Sequence, residues 1–142
     1  MDISLKDVLD HGTRWFNTVK SGGSAPAQAA FFLHPNPLIY VLASGVAISL
    51  DDYHRAHAQL INEVYHFGPF SLTVLNTLPS RVRARGTVYW QAEYPDRPAP
   101  NVIKAVVGED WILERTPGGA LKFVLYMNGF HHLLPDSAPF DL

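Results

Sequence analysis

The chain has seven histidines and no cysteine. Disulfides, thiolate catalysis and Cys-ligated metal sites are therefore excluded, and imidazoles and carboxylates are left to do any proton chemistry. His57 stands out because it shares a helical face with Tyr53, Leu60, Ile61 and Val64. On that face it is either a general base or hydrogen-bond donor working near neutral pH, or a core histidine bonded to a backbone carbonyl. His54, three residues earlier, offers a second imidazole at a spacing that metal sites use. A third ligand would have to come from His34, His131, His132 or a carboxylate, and no HExxH-type signature is present, so no metal is expected. Glu109 and Asp110 interrupt an apolar run between Val107 and Trp111. A carboxyl forced into apolar surroundings has a raised pKa and serves as acid or base. A bulge at Gly108 would instead turn both to solvent. Asp51 and Asp52 open a helix, and the helix dipole accounts for them. Trp15, Tyr40, Trp90, Trp111 and Tyr126 are expected in the interior, either as plain core or stacked against a planar ligand.

These residues must be positioned by regular elements. Leu5, Val8, Leu9, Gly12, Trp15, Phe16 and Val19 recur at spacings of three and four. This predicts a first helix, opened by a Ser4–Asp7 capping box and stopped by Gly22-Gly23. Ser24 and Pro26 open a short second helix that ends before Pro35. A strand over 38–43, a turn at Ser44-Gly45 and a return strand over 46–49 follow. Ser49 and Asp52 start a third helix, whose apolar positions run through Val64 and which is terminated by Gly68-Pro69. From Phe70 the period becomes 2. Strands are predicted over 70–78, 82–93, 101–115 and 121–128, with a hairpin turn at 116–119. The segment 129–142 reads as an arm that packs loosely or contacts a partner. Segregated helices and antiparallel strands indicate one α+β domain over 1–142, with three helices on one face of the sheet.

Composition agrees with a packed domain: 47% of the 142 residues are apolar and 17% are charged. A formal charge of -2 argues against a nucleic-acid surface. No apolar run is long enough to span a bilayer, and the N-terminal stretch MDISLKDVLD lacks a signal-peptide layout, so a cytoplasmic protein is expected.

The element order and two stretches resemble the nuclear transport factor two-like superfamily, the SnoaL-like, cystatin-like cone that includes ketosteroid isomerase. The stretches are ASGVAISLDDYHRAHAQL (43–60) and VVGEDWILERTPGGALKFVLYMN (106–128), and the resemblance covers Leu5 to Asn128. It implies a strongly curved, mainly antiparallel sheet with a hydrophobic pocket on its concave side and a homodimer contact on its convex side. Alternation along the 82–93 strand agrees with that division. Val82, Ala84, Gly86 and Val88 form a small apolar face, while Arg83, Arg85, Tyr89 and Gln91 form a polar face suited to an interface.

Family chemistry carries over only in part. A steroid-isomerase site would need a first-helix tyrosine, where this chain has Trp15 or Phe16, and an aspartate before the first strand, where it has His34 and Asn36. The Asp-Arg-Asp set of limonene-epoxide hydrolases has no evident match. The Tyr, His and Asn of scytalone-dehydratase-like sites are paralleled in composition by Tyr53, His57 and Asn128. The expectation is a cofactor-free isomerase, cyclase or dehydratase acting on a small hydrophobic carbonyl compound. His57 would be the base, Tyr53 or Tyr40 would polarise an oxygen, and Asn128 would orient the substrate. The alternative is a non-catalytic ligand-binding or homodimeric module.

Overall fold

The computed structural model describes residues 2–140. Helix α1 (Leu5–Lys20) begins where Ser4 Oγ accepts the Asp7 N–H at 3.1 Å and Asp7 accepts the Ser4 N–H at 2.9 Å. It buries Val8, His11, Gly12, Trp15, Phe16 and Val19. Helix α2 (Ala25–Ala29) is capped by Ser24. Strands β1 (Leu38–Val41) and β2 (Val46–Ser49) form a short hairpin leading into α3 (Leu50–Ala58), which Ser49 caps. Four long strands follow: β3 (Ile61–Thr77), β4 (Ser80–Glu93), β5 (Val102–Arg115) and β6 (Leu121–Leu133). They make one six-stranded sheet in the order β2-β1-β6-β5-β4-β3, antiparallel except for the β1–β6 pair. Three helices on one face of a mainly antiparallel sheet is the expected α+β architecture. The core lies between α1 and the inward side chains of the sheet, including Val82, Ala84, Val88, Trp111 and Phe123.

Three expected boundaries differ. Helix α3 ends at Ala58, and Ile61 and Val64 belong to β3, whose pairing starts at Ile61↔Glu93. Leu60, Ile61 and Val64 fit a helical stripe as well as they fit the start of a strand, so periodicity alone extends the helix too far. Gly68-Pro69 does not end an element but marks a slip in the β3–β4 register between Phe67 and Phe70. The segment after Asn128 is no loose arm. β6 continues to Leu133, and Ala138 is fully buried in a second core cluster with Leu60, Trp90 and Ile103.

Two glycines show where the sheet tolerates no side chain. A Cβ on Gly86 would lie 2.3 Å from the Phe70 ring and 2.5 Å from the Pro69 carbonyl oxygen, on the packed inner face. A Cβ on Gly108 would lie 2.4 Å from Phe130, whose ring is 46% exposed and free to swing outward. Gly86→Ala is therefore expected to destabilise by about 2–3 kcal/mol and Gly108→Ala by less than about 1 kcal/mol, measured by urea unfolding. Equal costs would mean that Phe130 is as fixed as Phe70.

Candidate active site

The sheet curls around a small cavity beneath α1 and α3. Its aromatic walls include Phe16, Tyr53, Tyr65, Trp90, Tyr126 and Phe140, and its polar lining includes His57, Glu109, Asn128 and His131. The cavity measures about 20 Å³, room for roughly one water molecule.

Tyr53 and His57 stand four residues apart on α3, so both point inward, with rings 4.5 Å apart. His57 Nδ1 lies 2.9 and 3.1 Å from the two Glu63 oxygens, and both side chains are buried. Glu63 also accepts from Tyr65 Oη at 2.7 Å and from Trp90 Nε1 at 2.9 Å. Burial alone would raise the Glu63 carboxyl. Hydrogen bonding and charge from His57, then the Tyr65 and Trp90 donors, overcome it and hold the group below the ordinary carboxylate range. Glu63 is thus an ionised carboxylate that fixes the imidazole ring through its Nδ1.

Glu63 reaches this place through a bulge. Between Ile61↔Glu93 and Val64↔Gln91 the β3–β4 ladder carries one extra residue on β3, and Asn62 takes φ 53. Asparagine tolerates that left-handed conformation, and the slip turns Glu63 toward the cavity. Glu63 is hidden in the sequence because the helical stripe of α3 runs on past this point. The usable signal was the alternation of Glu63, Tyr65 and Phe67.

The second buried carboxylate is Glu109, on the inward face of β5 between Val107 and Trp111. Its Oε2 accepts from Trp111 Nε1 and from Asn128 Nδ2, each at 2.8 Å, and Tyr126 Oη lies 3.5 Å from Oε1. Burial pushes its pKa up to about 8, and the donors from Trp111, Tyr126 and Asn128 offset only part of that. Glu109 is therefore protonated at neutral pH. Oε2 already faces two donors, so the proton belongs on Oε1, beside Tyr126. Asp110 points to the opposite face, where Arg83 binds it at 2.6 and 2.9 Å. The alternatives for this acidic pair resolve residue by residue: one carboxyl faces in and the other faces out. Burial likewise raises the Tyr53 and Tyr126 hydroxyls well above their ordinary value, so both remain protonated donors.

His131 is a further cavity residue, placed in the tail by sequence analysis. Between Gly108↔Phe130 and Glu109↔Asn128, β6 has Gly129 as an extra residue. The expected bulge at Gly108 is thus carried by the facing strand. One extra residue inverts the alternation, turning Phe130 outward and His131 inward. Burial lowers the His131 pKa, and the charge of His57 lowers it further.

The expected ligand-binding aromatics divide. Trp90 and Tyr126 line the cavity. Trp15 is fully buried and stacks on Tyr53, and Trp111 is fully buried behind Glu109; neither lines the cavity. Tyr40 is on the outer face, 38% exposed, because β1 turns Ile39 and Val41 inward. It cannot polarise an oxygen in this cavity. Among the described residues no group of three or more His, Asp or Glu side chains is arranged to hold a metal ion.

No family model and no curated protein matches the chain. Solved structures do. A protein from Novosphingobium aromaticivorans, provisionally described as a scytalone dehydratase, superposes with TM-score 0.75 at 10% identity, over 95% of this chain and 88% of that one. An NTF2-like protein from Cytophaga hutchinsonii gives 0.64 at 12% identity over 89% and 98%. ActVI-ORFA from Streptomyces coelicolor gives 0.63 at 16% identity over 87% and 93%. The chain has the nuclear transport factor two-like, SnoaL-like fold that the sequence resemblance implied. Among the described residues no helix is long and apolar enough to cross a membrane.

The buried groups dictate a pH dependence. Glu109 holds its proton more tightly folded than unfolded, so its contribution is full below about pH 4.5 and is lost as pH rises through about 8. His11, lowered to about 4 chiefly by burial, and His131, lowered by burial, act oppositely; their contributions are present above pH 6.5 and lost as pH falls. Between pH 6.5 and 8 the loss at Glu109 outweighs the few tenths of a kcal/mol regained as unfolded His11 and His131 shed their remaining protons, and stability should fall by about 1 kcal/mol. Urea unfolding at the two pH values should show that loss in the parent protein and no fall in Glu109→Gln. A parent response without a fall would place an ionised carboxylate at Glu109.

Proposed function

We propose that this protein is a cofactor-free enzyme that transfers a proton on a small hydrophobic carbonyl compound, in an isomerisation, cyclisation or dehydration. The observation that carries this reading is the buried His57–Glu63 pair, opening on the same cavity as the protonated Glu109. An imidazole held by an ionised carboxylate and a carboxyl kept protonated by burial, facing one cavity, supply the base and the acid that proton transfer at neutral pH requires.

In this scheme His57 Nε2 removes a proton from the carbon next to the carbonyl. Charge develops on the oxygen, which takes a hydrogen bond or the proton from Glu109 Oε1, assisted by the Tyr126 or Tyr53 hydroxyl. Glu63 steadies the imidazolium, and Asn128, bonded to Glu109, aligns the acid. The imidazolium proton then goes to a different carbon, to the oxygen of a second carbonyl whose carbon bonds to the enolate carbon, or to a β-hydroxyl that leaves as water as its C–O bond breaks and a C=C bond forms; any proton taken from Glu109 returns to it as the carbonyl re-forms. The neighbour provisionally described as a scytalone dehydratase supports this reaction class. Among the described residues no Lys or Arg lines the cavity, which favours a neutral substrate.

The outer face carries Arg83, Arg85, Tyr89 and Gln91 beside the exposed Tyr40, Leu42 and Phe130. A second copy covering this face is the partner we propose. Light scattering should then give twice the chain mass, and a monomer at high micromolar concentration would remove the dimer.

Hydrogen–deuterium exchange next to the carbonyl of 2-tetralone, followed by NMR, tests the reaction. The protein should accelerate it, His57→Gln should lower that rate by about 10²-fold or more, and Glu63→Gln should weaken it while preserving the fold. A His57→Gln rate equal to the parent rate defeats the assignment. A rise in Tm with 2-tetralone but no exchange would instead favour a ligand-binding module.

A further inference from the structure

We propose that Phe140 sets the size of the molecule the site accepts, and that residues 134–140 form a strap over the cavity whose release from β5 admits it. This rests on the cavity being the binding site. A benzene-sized ligand needs a cavity on the order of 150 Å³, and the closed one holds about 20 Å³. Part of the lining must therefore move. Among the described residues, every lining side chain except Phe140 stands on α1, α3 or strands β3 to β6, where ladders and helix bonds hold the backbone, and Phe140 alone of them lies beyond the last strand. Its ring packs edge-on against Trp90 at 4.7 Å and against His131 at 5.9 Å. Trp90 donates to Glu63, the carboxylate that holds His57. Lifting Phe140 thus uncovers the proton-transfer pair itself.

The strap is lightly fastened. Leu134 N–H donates to the Lys104 carbonyl, Lys104 N–H to Ser137 Oγ, and Ala138 N–H to the Val102 carbonyl, each at 2.8 Å. Asp136, at φ 67, makes the turn between the first of these bonds and the other two. The Ala138 methyl is the one fully buried side chain of the segment. All three bonds run to the start of β5, before its pairing with β6 begins at Ala105↔Leu133. The strap can therefore detach without breaking the ladder, and elements so fastened open well below the cost of global unfolding.

Native-state hydrogen exchange tests this without requiring turnover. The amides of Lys104, Leu134 and Ala138 and the Trp90 indole N–H should exchange together, faster than the amides of Val88 and Val107. Ser137→Ala removes one fastening and should speed that group about three- to ten-fold while leaving Val88 and Val107 unchanged. Phe140→Ala should bind 2-tetralone at least ten-fold faster than the parent by stopped-flow tryptophan fluorescence, and Phe140→Trp more slowly. Exchange of the Trp90 indole only with Val88 and Val107, or equal association rates for parent and Phe140→Ala, would overturn the strap. Loss of the proposed reaction is distinguishable, since a His57→Gln protein with unaltered turnover leaves these exchange results standing.

Discussion

A carboxylate with no water around it must receive its hydrogen bonds from the protein or give up its charge. Glu63, behind His57, and Glu109, on the cavity wall, follow the two branches of that rule. Glu63 is offered an imidazole, a phenol and an indole, and stays ionised. Glu109 is offered an indole and an amide on one oxygen and only a long bond from the Tyr126 phenol on the other, which is too little, and it keeps its proton. Much of the surrounding architecture serves these donors. Trp90, Trp111, Tyr65 and Tyr126 each sit where a polar tip reaches a carboxyl while the ring packs among other rings. The aromatic wall and the donors to the two buried carboxyls are here the same set of side chains.

Strand irregularity converts an ordinary pleat into this site. A regular β3 would not bring Glu63 beneath His57, and a regular β6 would put Phe130 inside and His131 outside. One added residue near Asn62 and another at Gly129 reverse the alternation. The same device lets β3 bend at Gly68-Pro69 without ending. The chemistry of the cavity is thus set by where the ladders slip as much as by which residues are present.

That also explains what could be read from the chain alone. Helix α1, the 38–49 hairpin, the inward face of β4 and the inward position of His57 follow from local periods and caps, and all were legible. Asp110 and Glu109 were recognisable as anomalous in an apolar strand, but strand phase alone could not say which turned inward. Glu63 and His131 were not found. Their orientation depends on pairing with a strand remote in sequence, and a bulge leaves little local trace beyond an asparagine or a glycine. Tyr40 was misplaced for the opposite reason: an aromatic in a short apolar run looks internal, yet only alternate residues of β1 face the core. The tail looked like an arm because its fastening is made of backbone bonds and one alanine, which composition does not register.

Trp111 donates its indole proton to Glu109, and its ring lies so near Gly12 that even a methyl group there would sit only 3.0 Å away. The first helix consequently works as a gauge. The depth at which it seats on the sheet fixes the height of the indole, and with it the angle at which the neighbouring acid is presented. Substitutions on that helix thus have a mechanical route to the Glu109 carboxyl through a single rigid bicycle.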